Sequence, residues 1–206
     1  MSRNRILLQL GLPVFLAVLI GAPPVAAQSS DAWTSVGSAG TVDESDLLLV
    51  QLATPVPGAV SMRPVFRGTV HVRYNVVAVG GVLNANGVSL TARLLDRGDA
   101  QRVVLSLKEY GLHTGLTTTL LTLDSDSFSP SPVFQEENVF NGGCTPGPAL
   151  NFADNAYFID VTLSRFFPLP VGPVGPPVNS TFALVEPEGT GPALGLIKLE
   201  RSGCIL

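Results

Sequence analysis

Asn155-Ala-Tyr-Phe-Ile-Asp-Val-Thr-Leu-Ser-Arg165 is the stretch on which the fold turns. Tyr157, Ile159, Val161 and Leu163 form a wholly apolar set, alternating with Phe158, Asp160, Thr162 and Ser164. An apolar side chain at every second residue, drawn from β-branched and aromatic types, marks a strand with one face on a core and the other wet. The stretch also lies between the only two cysteines, Cys144 and Cys204.

The same two-residue grammar extends in both directions. Thr69 to Val79 sets Val70, Val72, Tyr74, Val76 and Ala78 against His71, Arg73 and Asn75, and Gly80-Gly81 ends it. Val88 to Leu95 alternates Leu90, Ala92 and Leu94 with Ser89, Thr91 and Arg93. After the turn Asp96-Arg-Gly-Asp-Ala100, Val103, Leu105 and Leu107 resume the alternation, so these two segments read as a hairpin. Leu107 to Leu112 and Leu116 to Leu123 flank a turn at His113-Thr-Gly115, and threonines interleaved with leucines suit a sheet with one wet face. Near the start, Trp33 anchors a short first strand, Thr41-Val-Asp-Glu44 has the form of a capping box, and Leu47 to Leu52 reads as a buried strand.

Periodicity is lost from Asp124 to Leu150, where only Phe134 to Phe140 suggests a helical turn. Phe166-Phe-Pro-Leu-Pro-Val-Gly-Pro-Val-Gly-Pro-Pro177 is an apolar proline-rich loop, because its prolines forbid a central strand. Thr181 to Val185 and Ala193 to Arg201 complete the strands. With seven to ten short strands and no amphipathic helix of useful length, the expected fold is an all-β antiparallel sandwich, jelly-roll or immunoglobulin-like.

Met1-Ser-Arg-Asn-Arg5, an apolar run from Ile6 to Ala27 and small residues at Val25-Ala26-Ala27 are the three regions of a secretory signal peptide. Residues 1–27 are therefore expected to be removed, leaving one β-sandwich domain over 28–206; Pro13, Pro23 and Pro24 argue against the run being kept as a membrane anchor. The expected location is secreted or periplasmic, where Cys144 and Cys204 would form one disulfide. Two lysines against ten arginines point, with the compact leader, to a bacterial host.

Losing Arg3 and Arg5 leaves ten basic against sixteen acidic residues, a net charge near −6. An acidic, charge-poor domain lacks the basic stripe that displaces counterions from phosphates, so nucleic acid is not an expected partner, nor is anionic lipid. The expected partner is an extracellular ligand or protein.

The search for a reaction centre finds no G-x-S-x-G elbow, no phosphate loop and no dinucleotide fingerprint. His71, on the polar face of its strand, and His113, at a turn, are the only candidate imidazole bases. Asp160 stands out among the carboxylates Glu109, Glu136, Glu137 and Glu200 because it sits mid-strand beside apolar neighbours, yet no spacing selects a catalytic pair. Asp124-Ser-Asp126 offers alternate carboxylates as a partial calcium site, lacking the further ligands of a recognised motif. Arg97-Gly98-Asp99 at a predicted tip reads as turn chemistry, since all three residues favour turns. No cofactor is expected.

Three functions fit an exported all-β domain without a reaction centre. A non-catalytic module binding a glycan, a cell-surface component or a partner protein leads; a secreted carbohydrate-active hydrolase with paired carboxylates and a self-assembling surface or matrix component follow.

Overall fold

The computed structural model describes residues 32–52, 56–64, 66–79, 87–98, 100–140, 150–166 and 191–201. They contain eleven strands: β1 (Ala32–Val36), β2 (Thr41–Val42), β3 (Val50–Leu52), β4 (Val60–Met62), β5 (Gly68–Val76), β6 (Val88–Leu95), β7 (Gln101–Gly111), β8 (Thr117–Asp124), β9 (Gln135–Phe140), β10 (Asn155–Arg165) and β11 (Ala193–Arg201). The stretch that opened the reading is β10, the middle strand of a sheet ordered β2-β5-β10-β7-β8. A second sheet is ordered β3-β4-β11-β6-β9, with β1 also paired to β11. Every strand pair is antiparallel.

The inner faces of both sheets merge into one buried cluster. Tyr157, Ile159, Val161 and Leu163 of β10 join Val70, Val72 and Tyr74 of β5 and Val103, Leu105 and Leu107 of β7. Leu90 and Leu94 of β6, Ile197 and Leu199 of β11, and Val60 and Met62 of β4 meet them from the other sheet. The molecule is thus an all-β sandwich, and the period-two rule places the polar set of β10 on the outer surface of its sheet.

Pairing of the last eight strands is nested: β4 with β11, β5 with β10, β6 with β9 and β7 with β8. Successive pairs fall in alternate sheets. This corrects the expected hairpin of 88–107, because β6 and β7 lie in different sheets. Two strands with inward apolar faces satisfy the same alternation whether they share a sheet or face each other across the core. What carries the chain between sheets is a buried polar knot. Asp96 accepts from Gly98 N (2.8 Å) and from Ser125 Oγ, and Ser125 Oγ in turn accepts from Val103 N at 2.8 Å. Arg97 and Gly98 belong to this crossover rather than to a hairpin tip; Asp99 lies outside the described residues.

Other expectations shift locally. Phe134 to Phe140 is not a helical turn: Gln135–Phe140 is the edge strand β9, and Asn138 Nδ2 donates to Ser89 Oγ and Thr91 Oγ1 of β6 at 2.6 and 2.8 Å. Its polar Gln-Glu-Glu-Asn sequence carries no apolar alternation because an edge strand buries little. Leu47 and Leu48 are exposed in a turn, and only Val50–Leu52 of that apolar run is a strand. The capping signal before it is real at a smaller scale: Asp43 accepts from Ser45 N at 3.0 Å and opens a single 3₁₀ turn, Glu44–Asp46. β5 ends at Val76, so Ala78 is exposed beyond it. Trp33 docks in the core from β1, and 103–111 belongs to the single strand β7 rather than to two pieces. Residues 1–27, Thr181 to Val185, and Cys144 and Cys204 with their expected bond lie outside the described residues; of the proline-rich loop only Phe166, exposed, falls within them.

Candidate functional site

Register decides what meets on the outer face of the β10 sheet. Asp160 stands opposite Arg73 of β5 on one side and Ser106 of β7 on the other. Thr41 of β2 continues this row beyond Arg73. The next row sets Asn75, Phe158 and Lys108 side by side, and the row on the other side brings His71 to Thr162. Directly opposed and diagonal side chains on one sheet face are within reach of each other. An open groove of ≈ 740 Å³ follows, running from β2 across β5 and β10 to β7 and lined by Thr41, Asp43, His71, Arg73, Asn75, Ser106, Lys108, Asp160 and Thr162.

Asp160 is the hub of the groove. Arg73 donates to it through Nε at 2.7 Å and Nη2 at 3.4 Å, and Lys108 Nζ donates from the diagonal position at 2.9 Å. Partial burial alone would raise its pKa. The hydrogen bonds from Arg73 and then Lys108 outweigh that desolvation and hold the carboxyl below the ordinary aspartate range. The Arg73 guanidinium also lies 4.6 Å from the centroid of the Phe158 ring, so a planar cation caps the one aromatic of this row. Its own pKa is raised, chiefly by the hydrogen bond to Asp160.

His71 lines the groove and is held by Asp46. The Asp46 carboxylate accepts from His71 N at 2.8 Å and lies 3.1 Å from His71 Nδ1. This pins the 3₁₀ turn of 44–46 onto β5 and fixes the groove's outer wall, while the imidazole stays largely exposed. Around these charged pairs, the side chains of Thr41, Asn75, Ser106 and Thr162 make no hydrogen bond to another described residue. They are the groove's available donors and acceptors.

The sequence candidates therefore separate. Asp160 and His71 come together in the groove. Asp124 and Asp126 do not: they lie at the end of β8, where Arg102 donates to Asp124 through Nε (2.9 Å) and Nη2 and lies 3.1 Å from Asp126 Oδ2. The Arg102 hydrogen bond, with a smaller one from Asp126 N, holds Asp124 below the ordinary range against its desolvation. The cation between those carboxylates is a guanidinium, and no group of three or more His, Cys, Asp or Glu among the described residues is arranged to hold a metal ion. His113 is exposed, 3.6 Å from Asp154. Glu109 accepts from Tyr157 Oη at 3.0 Å, away from the groove.

Arg73, Asn75, Ser106, Lys108 and Thr162 carry the groove's chemistry beside Asp160, yet they were read only as the wet sides of their strands. Their signal is the polar half of each alternation; what the sequence lacks is the strand order that sets the three halves edge to edge.

No protein-family model and no curated protein sequence matches the chain. Solved structures similar to it include the C-terminal family 6 carbohydrate-binding module of a laminarinase from the marine Zobellia galactanivorans, 10% identical over 82% of this chain and 98% of that one, with a TM-score of 0.43. A family 61 carbohydrate-binding module in complex with β-1,4-galactotriose is 11% identical over 84% and 90% of the two chains, with a TM-score of 0.36. A family 11 module from Clostridium thermocellum in complex with a β-1,3-1,4-mixed-linked tetrasaccharide is 12% identical over 92% and 93%, also at 0.36.

Proposed function

We propose that the protein is an exported, non-catalytic β-sandwich module that binds an uncharged saccharide along the outer face of its β10 sheet. The observation that carries this reading is the groove itself, which is open and has its charges paired. Its free groups, the hydroxyls of Thr41, Ser106 and Thr162 and the amide of Asn75, both donate and accept, as sugar hydroxyls do. An open groove that crosses four strands, β2, β5, β10 and β7, fits a chain ligand better than a small enclosed one.

The hydrolase alternative is less well supported. A glycosidase needs one carboxyl with a raised pKa as acid and a second carboxylate about 5–9 Å from it. In this groove Asp160 is covered on both oxygens by cations, and the other carboxylate, Asp43, accepts from Ser45 N and Ser45 Oγ. Both carboxyls are held below the ordinary aspartate range, Asp160 with its desolvation outweighed by Arg73 and Lys108 and Asp43 by the Ser45 hydrogen bonds, so neither is the raised acid such chemistry needs.

The nested strand order favours the jelly-roll alternative over the immunoglobulin-like one. The leader at 1–27, the single domain at 28–206 and a Cys144–Cys204 disulfide complete the proposal. Alkylation of the denatured, unreduced protein should leave its mass unchanged, and a mass gain for two free thiols would remove the bond. Calorimetric titration with a panel of neutral oligosaccharides tests the function. Saturable binding is expected for at least one of them, and no binding to any would overturn the reading.

A further inference from the structure

We propose that Asp160 is the specificity-determining residue of the groove, occupying Arg73 and Lys108 and, together with Asp43, balancing their charge so that acidic saccharides are excluded and neutral ones admitted. This role presupposes that the groove is the saccharide-binding face proposed above.

The lining carries Arg73 and Lys108 against Asp43 and Asp160, two charges of each sign. Asp43 sits at the outer wall, its carboxylate engaged by Ser45 N and Ser45 Oγ at 3.0 and 2.8 Å. Asp160 stands between the two cations and accepts from both, as the 2.7, 3.4 and 2.9 Å contacts show. A uronate or sulfate entering the groove would have to displace this internal carboxylate to reach the Arg73 Nε and Nη2 and Lys108 Nζ donors that it occupies. A neutral sugar pays no such penalty, because it needs only the uncharged groups around them.

Removing the charge of Asp160 reverses the situation. Arg73 Nε and Nη2 and Lys108 Nζ lose their charged acceptor, and the lining gains one net positive charge. A guanidinium fork beside an ammonium matches a carboxylate in geometry as well as in sign. Asp160 therefore acts as a built-in occupant of an anion site, and its substitution should change which ligands bind rather than only weaken binding.

Oligogalacturonate and its methyl ester form a matched pair of probes, identical in backbone and differing in charge. The wild-type protein should discriminate against the acidic form. Asp160→Asn, with its fold checked by circular dichroism and melting, should bind oligogalacturonate about tenfold or more tighter than wild type at low salt. That gain should fade in about 0.5 M salt. Asp160→Glu should keep the exclusion, and Asp160→Asn combined with Arg73→Gln should lose the gain. Asp160→Ser makes the same neutralisation should the asparagine variant not fold. A folded neutral variant with no gain, or a wild-type protein that binds acid and ester equally, overturns the proposal while leaving neutral-saccharide binding intact. Failure of wild type on every neutral saccharide, with the gain present, overturns the saccharide reading instead.

Discussion

Asp160 is ionised, part-buried and mid-strand, a combination that persists only where the charge is paired. Its pairing makes stability depend on pH in a definite sense. The folded-state pKa of Asp160 is lowered, with desolvation opposed by Arg73 and Lys108, and that of Asp124 is lowered chiefly by Arg102. A carboxyl whose pKa falls on folding contributes stability that is full above the unfolded value of about 3.9 and is lost as pH falls through the folded one. Melting temperature should thus be insensitive to these two groups at neutral pH and drop below about pH 4. Asp160→Asn should flatten that acid slope, and an unchanged slope would contradict the pairing. The sequence singled out Asp160 by its position but gave no view of Arg73 and Lys108 as its partners. They lie 87 and 52 residues away, and only register connects them.

At the scale of elements, β11 shows why strand order was harder to read than strands. One edge of β11 is shared end to end, Ala193 and Leu194 pairing with β4 and Leu196 to Glu200 with β1. The other edge carries a bulge between Leu194 and Leu196 where it pairs with β6. Gly37, just after β1, lies at this changeover, where a Cβ would come 1.9 Å from Leu194 O and 2.9 Å from Val60 N. Tyr74 closes the joint from the other sheet by donating its hydroxyl to Gly37 O, and burial raises the pKa of that phenol. Gly37→Ala should therefore cost about 3 kcal/mol, read as a lowered urea midpoint, because backbone on both sides leaves the methyl no room. A midpoint equal to wild type would mean that β1 is not held against β11 as described. None of this is local information. Period-two alternation revealed β5, β6, β7, β10 and β11 because each turns an apolar set into the core, and β8 through Leu121 and Leu123 in its second half. It misassigned 88–107 to one sheet and missed β9, because alternation reports burial and not partners.

Over the whole molecule, the two sheets differ in what they offer to solvent. The β10 sheet turns outward a polar face whose middle is the groove, while among the described residues Leu47, Leu48 and Leu52 near β3 and Leu112 and Leu116 around the β7–β8 turn are exposed apolar groups away from it. All-β layering was legible from the chain, since no stretch carried a helical period and turn residues divided every apolar run. The binding function proposed for that face was legible only as a class, because threonine, serine, asparagine and paired charges read in sequence as ordinary wet surface. Blocking the groove is the direct test. Ser106→Trp places an indole over its floor beside Asp160, on the outer face and away from the core. Titrating the best neutral oligosaccharide into wild type and into this variant should show binding weakened at least tenfold, at an unchanged melting temperature. Equal affinity in the two proteins would contradict the assignment of the β10 sheet's outer face as the binding surface.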